Sequence, residues 1–259
     1  AGISYYKAGV PERIRVESGA PDVQTAAFLD ALYLHGLGEF AYHNRLDLRG
    51  RIRFPAGAAA AAELSPDSRK DIAAETVPAN ARTLVPIGGG KDSLVSVEIL
   101  KAAGGNATAA WVGNSPLIAA CAQRTGLPAL NIRRELSPLL FEYNRLGAWN
   151  GHIPVTAINS AILAVAAVLY GFDAIAFSNE RSASSATLEY DGQMVNHQWS
   201  KSWEFERALR DLLKSRVAAD LDYFSLLRPL SELSVAQRFA RASHYDDVFS
   251  SCNRNFRIL

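Results

Sequence analysis

From Arg82 onward, short apolar runs alternate with longer stretches whose apolar positions recur at helical spacing. The runs Thr83 to Ile87, Thr108 to Val112, Ala129 to Ile132 and Ala174 to Phe177 predict strands. Between them, Ser93 to Ala103, Leu117 to Thr125 and Thr156 to Leu169 predict helices long enough to serve as crossovers, and Gly104-Gly105, Gly126 and Gly171 stand near their ends. This order predicts an α/β fold: a doubly wound, mostly parallel sheet with helices on both faces. Upstream, Phe28, Leu32, Leu34 and Leu37 predict one amphipathic helix over Thr25 to Phe40, capped by Asp22. After Ala56-Gly57 come five alanines and the polar stretch Glu63 to Lys70, which read as a linker. The expected organisation is therefore an N-terminal helical segment and linker over residues 1–80, followed by the sheet domain over residues 81–259.

Composition narrows the function classes. With 49% apolar side chains in 259 residues, the chain can bury a substantial core, which excludes disorder. Lys and Arg number 27 against 26 Asp and Glu, so no general electrostatic pull toward nucleic acid or an acidic membrane is expected. The longest apolar run, Ala161 to Tyr170, is about half of the roughly 20 residues a span requires, and reads as a buried helix. Cys121 and Cys252 lie far apart and outside any CxxC spacing, which encodes neither a disulfide framework nor a zinc site and fits a reducing cytoplasm. No basic lead with a signal-type apolar core opens the chain. The lack of an initiator methionine and the abrupt end at Arg257-Ile258-Leu259 point to a chain trimmed at both ends.

In a doubly wound sheet, ligands sit beyond the carboxyl ends of the strands, so chemistry is sought immediately after each apolar run. After Leu84-Val85-Pro86-Ile87 comes Gly88-Gly89-Gly90-Lys91-Asp92-Ser93, and then a helix. Three glycines let backbone approach a ligand closely, and the amides of a helix N-terminus favour phosphate oxygens. Lys91 and Ser93 add side-chain donors. Asp92 separates the lysine from the hydroxyl residue, so the segment is not a Walker A loop, nor does it match GxGxxG. A plain glycine-rich turn is the bland alternative, against which the preceding strand, the following helix and the KDS tail all weigh.

Other chemistry-bearing stretches follow the second and fourth strands. Asn114, in Gly113-Asn114-Ser115-Pro116, is either a nucleotide contact or a helix cap. Ser178 to Ser185 includes Glu180, Arg181 and Ser182; Asn196 to Ser202 includes His197 and Lys201, with Ser202 the expected cap of the next helix. Glu180 and Arg181 also read as a surface ion pair. Histidine titrates near neutrality, which makes His197 the first candidate base and His152 a second loop histidine. Lys201, Glu180 and Cys252 are further candidates for proton transfer, whereas Cys121 falls in an apolar helix pattern and reads as core. Lys7, Arg181 and Arg254 are candidate anchors for phosphate or carboxylate.

The hexapeptide from Gly88 resembles the SGGxDS signature of the PP-loop ATP pyrophosphatases, with Gly88 in place of the usual serine and so one hydroxyl fewer. That resemblance implies ATP cleaved between its α and β phosphates, Mg²⁺ as cofactor, and Asp92 beside the metal. The loop occurs together with Gly2-Ile3-Ser4-Tyr5-Tyr6-Lys7, Asn150-Gly151-His152-Ile153-Pro154-Val155-Thr156, Ser178 to Ser184 and Asn196 to Ser202. The set is similar to the UDP-N-acetylmuramoyl-L-alanyl-L-glutamate epimerases of bacterial peptidoglycan synthesis, over nearly the whole chain. The resemblance implies an ATP- and Mg²⁺-dependent inversion of the terminal L-glutamate of a UDP-MurNAc dipeptide, with AMP and diphosphate released. It also implies further segments beyond both ends of the chain, the C-terminal one bearing a cysteine. On this reading Gly88 to Ser93 and Asn114 bind ATP, and Lys7, His152, Arg181, Ser182 and Arg254 bind substrate.

Adenylylation is sensible chemistry for an epimerase. An ionised carboxylate opposes removal of the neighbouring α proton, and a mixed anhydride removes that opposition. Two alternatives share the nucleotide loop: a PP-loop ligase that modifies tRNA or forms a deazapurine, and a non-catalytic adenine-nucleotide-binding module. The near-zero net charge argues against tRNA, and the density of reactive side chains after the fourth strand argues against a mere binding module. The residues leave the oligomeric state open.

Overall fold

Where apolar residues run consecutively between glycines and polar turns, the chain forms the strands of a parallel sheet. The structure, a computed structural model, describes residues 2–57, 80–184, 188–190, 193–196 and 198–250. Most of the expected linker, together with His197, Cys252 and Arg254, lies outside the described residues. The chain forms two compact units: Ala1–Leu64, Leu136–Ser160 and Ala183–Arg216 make up the first, and Ser65–Glu135, Ala161–Ser182 and Val217–Leu259 the second.

The first unit contains helices α1 (Gly2–Gly9), α2 (Val23–Gly36) and α3 (Gly38–Asn44). Asp22 caps α2 by accepting the Thr25 amide at 2.9 Å. The single helix expected from Thr25 to Phe40 is instead broken at Leu37. The break accompanies a tight contact at Gly36, where a Cβ would come within 2.7 Å of the Pro154 ring.

The numbering of elements continues through the second unit, whose sheet strands are β1 (Thr83–Pro86), β2 (Ala107–Val112), β3 (Ala129–Ile132), β4 (Ala174–Phe177) and, later, β7 (Asp222–Ser225). All neighbours pair in parallel, in the order β3-β2-β1-β4-β7. The expected doubly wound sheet is thus present, with one more strand than the four apolar runs. Helices α4 (Lys91–Ala102) and α5 (Pro116–Arg124) make the first two crossovers; in the sequence between β3 and β4 come α6 (Pro138–Arg145), which belongs to the first unit, and α7 (Val155–Tyr170), which belongs to the second from Ala161 onward. Strand order reverses beside β1, so right-handed crossovers send the helices before β2 and β3 to one face and the chain before β4 to the other. Val85 and Ile87 pack with Leu94, Val97, Cys121 and Tyr245 on the first face, while Leu84 is fully buried on the second.

Two short antiparallel strands, β5 (Leu188–Tyr190) and β6 (Gln193–Val195), precede helix α8 (Trp203–Arg216) of the first unit. Ser202 caps α8 as expected, its hydroxyl accepting the Phe205 amide at 3.2 Å. Phe205, Leu209 and Leu213 form its buried face, and the Phe205 ring lies 6.1 Å from that of Phe28 on α2. The last described helix, α9 (Glu232–Phe239), follows β7 in the second unit and packs on α4. No helix among the described residues is long and apolar enough to cross a membrane.

Candidate active site

The switch point of this sheet lies between β1 and β4, whose carboxyl ends lead into the glycine-rich loop and the Ser178 to Ser182 stretch. The turn from β1 into α4 passes through Gly89 at φ +79°, a left-handed conformation that favours glycine. Among the described residues, an added Cβ at Gly88 would meet nothing within 4 Å. Gly90 is the N-cap of α4 and offers no side-chain cap, which leaves the first-turn amides to whatever anion approaches.

The loop's own side chains divide the work. Ser93 is buried; its hydroxyl accepts the Gly88 amide at 3.4 Å and donates to the Gly90 carbonyl at 3.0 Å, closing the turn on itself. Lys91 and Asp92 are more open, with Nζ 2.9 Å from the Asp92 carboxylate and 3.5 Å from that of Glu232 on α9. Burial pulls the Lys91 pKa down, but the Asp92 hydrogen bond and the Asp92 and Glu232 charges outweigh it and hold the ammonium above the ordinary lysine value. The result is a cationic group, a carboxylate and a row of amides at one helix end, a donor set suited to a polyphosphate with a hard divalent cation.

After β4, the Glu180 carboxylate accepts the Ser182 amide and the Ser182 hydroxyl, each at 2.6 Å. Arg181 donates from Nη2 to the Pro229 carbonyl at 2.6 Å, and Arg228 donates to the Glu180 carbonyl at 3.1 Å. The segment after β7 thereby braces the segment after β4. Asn114 is exposed beyond β2, and the cap of α5 is its neighbour Ser115, whose hydroxyl accepts the Ile118 amide.

Lys7, His152 and Lys201 belong to the first unit. Lys7 is only 5% exposed and donates to Asn150 Oδ1 at 2.6 Å; burial lowers its pKa. His152 Nδ1 stands 3.7 Å from Glu39. Lys201 ends a 3₁₀ turn, Trp199–Lys201, whose indole stacks on His35 at 5.1 Å and donates to Glu204 at 3.2 Å.

Glu232 and Arg228, which meet Lys91 and the Glu180 carbonyl, follow a strand outside the four apolar runs. Leu221-Asp222-Tyr223-Phe224-Ser225, bounded by Asp220 and Arg228-Pro229, carried the aromatic signal of a strand, and its carboxyl end would have pointed to both.

A parallel sheet with a glycine-rich, lysine-bearing loop at its switch point defines a doubly wound α/β domain. Residues 1–226 match the family described as MurL N-terminal domain, and the chain belongs to that family. A protein of Xanthomonas oryzae pv. oryzae (strain MAFF 311018) named UDP-N-acetyl-alpha-D-muramoyl-L-alanyl-L-glutamate epimerase is 58% identical over 259 residues, covering 100% of this chain and 55% of its own. Proteins of the same name from Salinispora tropica and from Micromonospora sp. (strain ATCC 39149) are 44% and 42% identical over 260 residues; each alignment covers 100% of this chain, and 54% and 56% of theirs. The chain spans about half the length of the curated relatives it matches.

Proposed function

We propose that this chain is the nucleotide-handling part of a cytoplasmic epimerase that inverts the terminal L-glutamate of UDP-MurNAc-L-Ala-L-Glu in peptidoglycan precursor synthesis, cleaving ATP to AMP and diphosphate. The observation that carries the reading is the Gly88 to Ser93 turn at the switch point of the sheet, in a chain whose relatives bear the epimerase name.

The loop amides and Lys91 would grip the β and γ phosphates, leaving the α phosphorus open to a carboxylate oxygen of the substrate glutamate. Attack forms the acyl-adenylate and expels diphosphate. No group of three or more His, Cys, Asp or Glu side chains is gathered for a metal among the described residues. Asp92 with phosphate oxygens is nonetheless the usual way Mg²⁺ is held, and the ion would neutralise the leaving charge.

With the carboxylate masked as an anhydride, a base removes the α proton, and the carbanion is reprotonated from the opposite face. His197 is the proposed base, with Lys201, Glu180 and Cys252 as the further acid and base groups. Lys7, His152, Arg181, Ser182 and Arg254 are the proposed holders of the substrate's charges. Water then splits the anhydride to give the D-glutamyl product and AMP.

The test is to supply ATP and Mg²⁺ with or without the muramoyl dipeptide and to measure diphosphate, AMP and the configuration of the glutamate. Diphosphate release that depends on the dipeptide, with D-glutamate formed, is the expected outcome. Release indifferent to the dipeptide, or product still wholly L, would overturn the proposal.

A further inference from the structure

We propose that Arg124 is a positioning residue for the glycine-rich loop, acting through Asp247 and the segment from His244 to Ser250. The inference rests on the nucleotide-binding reading of that loop.

The last described residue, Ser250, donates its amide to the Gly89 carbonyl at 2.8 Å. A peptide unit is planar and trans, so its carbonyl and the following N–H point in opposite directions. Holding the Gly89 oxygen toward Ser250 therefore aims the Gly90 N–H away from Ser250. Gly89, at φ +79°, lacks the side chain that would restrict rotation of this peptide, so the loop itself does little to prevent a flip. An outside anchor has to set the amide direction, and the Ser250 amide is the short one, with the Cys121 thiol 3.8 Å from the same Gly89 oxygen.

Ser250 is in turn placed by a strap fixed to three helices. On α5, both Arg124 terminal nitrogens meet Asp247, at 2.7 and 2.8 Å, and Nη1 also donates to the His244 carbonyl. One turn earlier on α5, the Cys121 thiol donates to the Val248 carbonyl at 3.0 Å. On α4, Glu98 accepts the hydroxyl of the buried Tyr245 at 2.7 Å. The Phe249 ring packs 4.6 Å from that of Phe239 on α9. Tyr245 and Phe249 supply the apolar burial that keeps the strap folded. The forked Arg124 to Asp247 pair sets its register along α5, as a planar guanidinium does when it matches a carboxylate.

An exposed ion pair adds little to global stability, so its removal should be felt at the loop and not in folding. The variants are Arg124→Ala, the near-isosteric Asp247→Asn, and the exchanged double variant Arg124→Asp with Asp247→Arg. MgATP affinity is read by calorimetry, KM for ATP and kcat are read separately, and the thermal midpoint serves as the folding control. Each single variant should weaken ATP binding about tenfold, a size usual for couplings that touch neither ligand. KM should rise with kcat little changed, the thermal midpoint should hold, and the exchanged pair should recover much of the lost affinity. Unchanged ATP affinity in folded single variants would overturn the inference. So would an affinity loss that merely tracks a fall in midpoint and is not recovered by exchange. Should the unsubstituted chain itself fail to bind MgATP, the nucleotide reading fails instead, and the two failures are told apart by that first measurement.

Discussion

Lys91 Nζ lies 2.9 Å from Oδ1 of Asp92, its neighbour in the sequence. Adjacent residues in the first turn of a helix diverge by about 100° around its axis, so the contact brings both charged ends to the mouth of the loop. Glu232 draws on the same ammonium from 3.5 Å. When nucleotide binds, phosphate oxygens would compete for Lys91 and leave Asp92 to a cation. Asp92→Ala is therefore expected to lower Mg²⁺-dependent diphosphate release by about 100-fold or more, the scale seen when a group stabilising developing charge is removed. A continuous diphosphate assay with the dipeptide present checks it, and undiminished release would take Asp92 out of the metal site.

The two neighbouring glycines should respond in opposite ways. Gly88→Ser introduces a side chain into space with no atom of the described residues within 4 Å, so folding should be unaffected and the added hydroxyl should tighten nucleotide binding. Gly89→Ala places a Cβ at φ +79°, which costs roughly 1–2 kcal/mol and turns the loop away from its present path. Thermal melts and nucleotide titrations on both variants test the contrast, which disappears if the loop adopts another conformation on binding.

For the proton-transfer step, His197→Ala is expected to spare AMP formation while cutting incorporation of solvent deuterium at the glutamate α carbon by about 10²–10⁴-fold. Mass spectrometry of the product in D₂O reads the effect. Exchange at the wild-type rate would assign the base to another residue.

Lys7 gives a pH prediction that concerns stability alone. Burial holds its pKa below the ordinary 10.5, so between that lowered value and pH 10.5 the unfolded chain carries more protons than the folded one. Its contribution to stability accordingly rises with pH through this window and is lost as pH falls through the folded value. Lys7→Met should remove that rise. A pH series of thermal melts decides it, and parallel profiles for the two proteins would refute it.

What could be read from sequence follows from range of interaction. Residues 174–177 form a strand because four apolar residues lie between Asp173 and Ser178, and the loop from Gly88 is recognisable because its glycines and charges are consecutive. Ser202 and Asp22 cap helices through amides three residues on, a contact that sequence spacing alone specifies. The broken helix at Leu37 was hidden because its companion feature, the contact of Gly36 with Pro154, joins residues far apart in the chain.

The sequence by itself determined the alternation of strands and helices, the parallel sheet, and the glycine-rich turn between β1 and α4, since each depends on neighbours within a few positions. Only tertiary structure decided that β7 closes the sheet beside β4 and that Glu232 shares Lys91 with Asp92. It also decided that the amide of Ser250 aims a peptide in the loop more than 150 residues before it. Such partners are chosen by packing of surfaces that meet only after the chain has folded, and no local pattern encodes the meeting.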